Sequence, residues 1–303
     1  MLIVKHRKIF YFLSIILLAV SVFSIFFWGL KPGIDFTGGS LLSISYEGGL
    51  PEVKALEESL KDKGFGEVLI RKAGKDGFII RMKEVTQEEK NQVMEAFSFG
   101  GSHSPLEKTF SNVGPILGKE AIYKSWISIV LVLLAIVFFI AFAFRKVSKP
   151  ISSWIYGVVT VLALLHDVLV PTGIFALLGH FYGFEVDTLF VTALLVILGF
   201  SVHDTIVVFD RVRENLHKNE EHREGKNFET IVGESINETF VRSINTSLTT
   251  LLAILVLYIF GPEAIKNFSL ALLIGITVGT YSSIFIGSTL LVTIDNWKNR
   301  DLT

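Results

Sequence analysis

The chain has 303 residues, half of them hydrophobic, with 26 Phe, only 19% charged residues and a net charge of −1. So much apolar surface cannot be hidden in a water-soluble core of this length, so lipid must be part of the solvent. The near-zero charge excludes a nucleic-acid partner bound by bulk electrostatics, and the absence of Cys excludes disulfide, zinc-ribbon and thiol chemistry.

In chain order, Lys5, Arg7 and Lys8 precede a charge-free run over 9–30. That run is too long for a signal-peptide core and no small-residue cleavage site follows Trp28, so it is predicted to be the first membrane span. The stretch 31–124 balances 13 Lys and Arg against 14 Asp and Glu. Within it Ser40–Tyr46 alternates as a strand, and Pro51–Lys63 repeats Val53, Leu56 and Leu60 at helical spacing. Val68–Ile70 and Phe78–Met82 are short strands around the turn Gly74-Lys75-Asp76-Gly77. Thr86 and Glu89 form a capping box that opens a helix to Phe97, and a last strand is expected over Lys108–Val113. The order βαββαβ predicts a small ferredoxin-like α+β domain with no metal-ligand or phosphate-loop spacing, suited to binding or bearing force rather than to catalysis.

Beyond it, 125–144, 243–262 and 267–294 carry no charge, 150–184 carries only Asp167, and 188–209 only Asp204. A helix needs about 20 apolar residues to cross the hydrocarbon, so each window holds one span. The expectation is an α-helical membrane protein of six spans. Residues 1–30 form the N-terminus and span one, 31–124 an extracytoplasmic domain, and 125–303 a bundle with spans near 125–144, 152–178, 188–209, 243–260 and 268–292. The segments 1–8, 145–149, 210–241 and 295–303 hold 13 basic residues, and the loops 179–187 and 261–266 hold only Lys266. This asymmetry places both termini in the cytoplasm.

A charge in mid-bilayer costs about 2.5–3.5 kcal/mol and therefore marks a site. Asp167 follows His166 in the third span, Asp204 follows His203 in the fourth, and Arg242 enters the fifth. Asp204 lies roughly 8 Å inside the cytoplasmic boundary by helical rise. Arg242 sits at the same end of an antiparallel neighbour, so the two side chains are expected to meet. The fifth span then presents Ser243, Asn245, Thr246, Ser247, Thr249 and Thr250, a surface that must face helices or water. Two readings stay open: interhelical hydrogen bonding, or an ion relay in which Asp204 protonates and releases beside His203 and Arg242. Asp167 is as compatible with a bond to Thr172 around the Pro171 kink as with a place in the relay.

Adjacent helical residues point about 100° apart, so the two His-Asp pairs are poor joint ligands for one metal ion. An aspartyl protease is disfavoured because Gly-x-Gly-Asp is absent ahead of Asp204. Gly275-x-x-x-Gly279 permits close helix approach. Arg211–Arg223 is a solvated helical extension, in which Arg211 and Arg213 could meet anionic lipid.

Four motifs carry a family resemblance: Gly33-Ile34-Asp35-Phe36-Thr37-Gly38-Gly39-Ser40, Ala163-Leu164-Leu165-His166-Asp167-Val168, the run Asp204–Asn215, and Arg242-Ser243-Ile244-Asn245-Thr246-Ser247. With the six-span layout, they resemble the SecF-type half of the SecD/SecF family, within the resistance–nodulation–division superfamily. The resemblance covers essentially the whole chain. It implies a non-enzymatic role in the bacterial cytoplasmic membrane, pairing with SecD beside the SecYEG channel, contact with YajC, and use of the proton-motive force to draw unfolded preproteins outward. The coupling ion it implies is H⁺, with Na⁺ as the alternative, and it implies no cofactor. It assigns the relay to Asp204 and Arg242, and the post-span motif to Gly33, Asp35, Phe36, Gly38 and Gly39. His203 stands where the family pattern has Asn, and the loop between Asp204 and Arg242 is slightly long. The competing classes are a small-molecule or lipid exporter of the superfamily, which generally carries two six-span halves on one chain, and a non-transporting scaffold.

Overall fold

The computed structural model describes residues 2–47, 49–61, 63–66, 68–74, 76–144 and 151–300. Lys75 of the expected turn and the basic residues Arg145, Lys146 and Lys149 lie outside the described residues, as does the C-terminal end from 301. In chain order the elements are α1 (Leu2–Lys5), α2 (Arg7–Trp28), α3 (Ile34–Thr37), β1 (Gly39–Tyr46), α4 (Val53–Leu60), β2 (Leu69–Ala73), β3 (Gly77–Met82), α5 (Gln87–Phe97), β4 (Pro105–Val113), α6 (Pro115–Ala143), α7 (Ser153–Tyr182), α8 (Thr188–Glu221), α9 (Phe228–Phe260), a 3₁₀ turn (Glu263–Ile265), α10 (Lys266–Ser282), a π-helical turn (Ser283–Gly287) and α11 (Ser288–Arg300). Contacts divide the chain into two units, residues 32–126 and residues 1–31 with 127–303.

In the 32–126 unit the four strands lie in the order β2-β3-β1-β4 with every neighbouring pair antiparallel, as the ferredoxin-like pattern requires. Registers Leu42↔Ile80 and Ile44↔Phe78 put alternate side chains on one face. There they meet Leu56, Val93 and Phe97 of α4 and α5 in a single core. The expected capping box is present: the Glu89 amide donates to Thr86 Oγ1 at 3.2 Å and the Thr86 amide to Glu89 Oε2 at 2.7 Å. Ser40 ties β1 to β4 and to the segment that follows β3, donating to Asn112 Oδ1 at 3.0 Å and accepting from the Val85 amide at 3.0 Å.

Tyr46, almost fully buried at the end of β1, donates its hydroxyl to the Phe97 carbonyl at 3.1 Å, and burial pushes its phenol up to about 12. A phenol that ionises less readily when folded contributes stability below its ordinary value near 10, and that contribution is lost as pH rises toward 12. A soluble fragment of residues 32–114 is therefore expected to melt at one temperature from pH 6 to 9 and at falling temperature above pH 10. Tyr46→Phe should cost about 1 kcal/mol at neutral pH and flatten the alkaline limb, as followed by circular dichroism.

The motif around Gly38 and Gly39 is more than a turn. Ile34–Thr37 forms one helical turn, with Thr37 Oγ1 donating to the Gly33 carbonyl at 3.0 Å and accepting from Arg81 Nη2 at 2.6 Å. Gly38 and Gly39 follow at φ +75° and +117°, where L side chains are strained. A Cβ on Gly38 would lie 2.9 Å from Pro115 Cα, and one on Gly39 would lie 2.7 Å from the Met82 carbonyl oxygen. The glycines thus let the chain pass between the start of α6 and the end of β3.

In the other unit, six helices are long and apolar enough to cross a membrane. Three differ from the expected limits, and a fourth, α8, carries the expected helical extension. The α6 helix begins at Pro115 rather than near 125, because proline suits a first helical position and the one glycine that follows, Gly118, does not interrupt it. The α8 helix continues to Glu221, well past its apolar window, and α9 starts at Phe228, where the Asn227 side chain accepts from the Thr230 amide at 2.8 Å. The sixth span is a broken helix, interrupted where Ser288 Oγ donates to the Ser283 carbonyl at 2.9 Å.

Candidate functional site

The unit built from the long helices hides an unusual number of polar side chains. Asp167, Ser201, Asp204, Thr205, Ser243, Ser247, Thr280, Ser282 and Ser283 are all buried. They come from α7, α8, α9 and the broken last span, and close approach of those helices lets them meet. A Cβ on Gly275 would overlap the Ile197 side chain, and one on Gly279 would lie 3.1 Å from Ser201 Cβ. The Gly275-x-x-x-Gly279 pair therefore sets the distance between α10 and α8.

Asp167 is fully buried and holds three helices together. Its Oδ2 accepts from Ser201 Oγ of α8 at 2.5 Å and from Ser282 Oγ of α10 at 2.7 Å, and its Oδ1 faces His166 Nδ1 at 3.0 Å. The expected bond to Thr172 is not formed. Thr172 Oγ1 donates back to the Val168 carbonyl at 2.6 Å, the usual intrahelical outlet for a threonine, and Asp167 turns to the neighbouring helices instead. Below this cluster, Thr205 Oγ1 and Ser283 Oγ lie 3.0 Å apart and both donate to the Ser201 carbonyl, at 3.0 and 3.1 Å. The π-helical turn begins at Ser283, a feature that recurs at functional sites in membrane and soluble helices alike.

Asp204 is 2% exposed yet loosely held. Its Oδ2 accepts one long hydrogen bond, 3.4 Å, from Ser247 of α9, and Ser247 in turn accepts from Thr280 Oγ1 at 2.6 Å. His203 Nδ1 stands 4.0 Å from Asp204 Oδ1 while the rest of its ring is largely exposed. A groove of about 260 Å³ between α9 and α10 reaches Ser247 and Thr280 past Leu248 and Tyr281.

The structure brings Asp204 into hydrogen-bond distance of Ser247 but not into ion-pair distance of Arg242. Ser243 and Ser247, one turn apart, point inward, and Arg242 is rotated about 100° from Ser243 onto an exposed face. Among the described residues Arg242 has no ion-pair partner within 4.0 Å. Asn245 and Thr249 share its exposure. Asp35, Phe36, Gly33, Gly38 and Gly39 belong to the 32–126 unit. Among the described residues no three His, Cys, Asp or Glu groups cluster as metal ligands. Ser201, Thr205, Thr280, Ser282 and Ser283 were not singled out by the sequence reading. Their signal was there: a hydroxyl residue one turn before Asp204, another directly after it, and a Ser-Ser pair three residues past Gly279.

Residues 94–297 match the family model for the protein export membrane protein SecD/SecF, C-terminal region, and residues 23–49 match the SecD/SecF GG motif. The chain belongs to the SecD/SecF family. Protein translocase subunit SecF of Thermobaculum terrenum is 43% identical over 99% of this chain and 94% of its own length. The same-named subunit of Sebaldella termitidis is 36% identical over 97% and 92%. The crystal structure of SecDF, described as a translocon-associated membrane protein from Thermus thermophilus, superposes with a TM-score of 0.78 at 33% identity. That match covers 98% of this chain and 38% of the SecDF chain. Within this family frame the chain is a multi-pass membrane protein whose six long helices carry one small α+β unit after the first.

Proposed function

We propose that this chain is the SecF-type subunit of a bacterial protein-export assembly. It pairs with a SecD-type chain in the cytoplasmic membrane, beside the SecYEG channel and YajC. Both termini face the cytoplasm and residues 32–126 face outward, where they hold emerging unfolded preprotein. Movement of H⁺, or alternatively Na⁺, down its gradient drives the cycle through Asp204, with Arg242, His203 and Asp167 as the other relay residues and no bound cofactor. The role is transport rather than enzymatic catalysis.

One observation carries this proposal: Asp204 is buried within a span, but among the described residues it accepts one long hydrogen bond, from Ser247, and has no ion-pair partner nearer than His203. A carboxyl kept for packing alone would be expected to be fully satisfied. One held this weakly can exchange an ion at little structural expense. The exposed polar face of α9, with Arg242, Asn245 and Thr249, is unsuited to lipid and supports a membrane partner there.

Co-purification in mild detergent tests the pairing and is expected to recover a twelve-span assembly with a SecD-like chain. Recovery of the chain alone would count against it. Arg242→Met should assemble yet lose gradient-driven export, and Arg242→Lys should restore it in part at most, since an ammonium lacks the planar fork of guanidinium. Vesicles in which Arg242→Met exports as the parent does would remove Arg242 from the relay. His203→Asn should leave the maximum rate intact and shift its pH optimum at most.

A further inference from the structure

We propose that His166 and Asp167 form a second proton-carrying site, separate from Asp204, in which the proton is taken up at His166 Nε2. Asp167 has hydrogen-bond partners at both oxygens. Ser201 Oγ has no acceptor but Asp167 Oδ2 among the described hydrogen bonds, so it must donate there, and Ser282 Oγ lies 2.7 Å from the same oxygen and 3.0 Å from the Gly279 carbonyl. At Oδ1 the partner is His166 Nδ1, 3.0 Å away. We assign Asp167 the ionised form, in which Nδ1 carries the hydrogen of that bond. This tautomer leaves Nε2 as the imidazole's one basic atom. Nε2 is fully buried and has no protein hydrogen-bond partner among the described residues.

Among the described residues the surroundings supply no other counter-charge within ion-pair distance. The helices packed on α7 carry His203 and Asp204 on α8, Tyr281 on α10, Tyr11 on α2, and Asp295 and Lys298 on α11. Arg7 and Lys8 stand at the start of α2, and Arg7 is paired with Glu229. The Tyr281 ring centre is 6.3 Å from the imidazole, with its hydroxyl donated to the Phe10 carbonyl, and Tyr11 is bonded to Thr293. Among the described residues only His166 comes within ion-pair distance of Asp167. A fully buried carboxylate with no fixed cation is neutralised by a proton, and the adjoining imidazole is placed to hold it. The step is simple: a proton bonds to the Nε2 lone pair, the ring becomes imidazolium, and the His-Asp pair goes from net −1 to neutral. Because the pair is closed off by α8 and α10, a proton can enter or leave only when those helices part, and this ties its occupancy to the packing that also positions Ser247 and Thr280 near Asp204. That coupling rests on the ion-driven function proposed above, whereas the proton site itself does not.

The test uses the full chain in lipid nanodiscs with ¹⁵N-labelled histidine, His166 being assigned by the signal lost in His166→Asn. That variant keeps a donor near the Nδ1 position and removes the second nitrogen. In the parent, Nδ1 is expected to remain N–H at every pH at which the protein is folded, while the Nε2 resonance moves between its bare and protonated positions. Asp204→Asn should leave this movement in place. Asp167→Asn should release the Nδ1–H lock and mix the tautomers, and if that variant does not fold, Ser201→Ala should still perturb the Nδ1 signal. A static Nε2 signal, or a bare Nδ1, overturns the proposal. Movement of Nε2 combined with normal gradient-driven export by Asp204→Asn would sustain the second site and sink the assignment of Asp204. A static Nε2 with export lost in Asp204→Asn would do the reverse.

Discussion

Asp204→Asn is expected to insert, fold and assemble as the parent does, and to lose its response to an imposed ion gradient. The two side chains have nearly the same volume, and an amide oxygen can still accept from Ser247 Oγ, as Asp204 does. Removing a buried charge-forming group therefore leaves the packing of α8 on α9 and α10 unchanged. What disappears is the exchangeable ion. Moving one charge through 100 mV supplies about 2.3 kcal/mol, enough to bias a two-state rearrangement about fifty-fold. Asparagine holds the site permanently neutral, so that bias vanishes. Thermal unfolding in nanodiscs should fall within about 0.5 kcal/mol of the parent, while the gradient-dependent part of export goes to background. A variant that unfolds early would mean that Asp204 serves packing after all.

A single methyl group at Gly173 should have the largest effect on stability. Gly173 lies midway along α7, where a Cβ would overlap Ser21 Cα of α2. That neighbour is backbone, so no rotamer change relieves the clash and the two helices must separate. Gly173→Ala is expected to destabilise by about 1–3 kcal/mol, the usual range for overpacking. Gly199 on α8 is the internal control, since a Cβ there meets nothing within 4 Å. Gly199→Ala should be neutral, or stabilising by up to about 1 kcal/mol through helix propensity. Parallel thermal melts of the two variants in one lipid would separate helix contact from helix propensity. Equal melting of the two would contradict the close α2–α7 packing.

The parts of the fold that were legible in the sequence are those governed by neighbours in the chain. Charge-free windows marked six spans because the hydrocarbon sets their length, and the spacing of Thr86 and Glu89 gave the start of α5 because a capping box is local chemistry. The βαββαβ order followed from alternating and helical periods, and the sheet order then follows the usual ferredoxin-like arrangement. Helix ends in polar segments were harder to read. The first turns of α6, over Pro115–Lys124, and of α9 are helical without being apolar. The π-helical turn at Ser283 depends on hydroxyl bonding within a packed seam, which hydropathy does not register.

In the site, Asp167 and Asp204 stood out because charge is costly in lipid, but their partners did not. Ser201 is 34 and Ser282 is 115 residues from Asp167, and only the tertiary packing chooses them over the local Thr172. Arg242 was expected beside Asp204 because both lie at the same end of adjacent helices. The rotation of α9, fixed by Ser243 and Ser247, turns it outward instead. Depth along a helix can be read from a window of residues, whereas rotation about its axis is decided by what the helix packs against.

Export completion in membrane vesicles tests the central claim most directly. Vesicles containing the assembled translocase and a stalled preprotein are given a proton gradient, or separately a sodium gradient, after ATP has been removed. The parent is expected to complete export under one of the two gradients and under neither when both are collapsed. Asp204→Asn vesicles should show no gradient-dependent completion with either ion. Completion by Asp204→Asn equal to that of the parent would show that Asp204 carries no coupling ion.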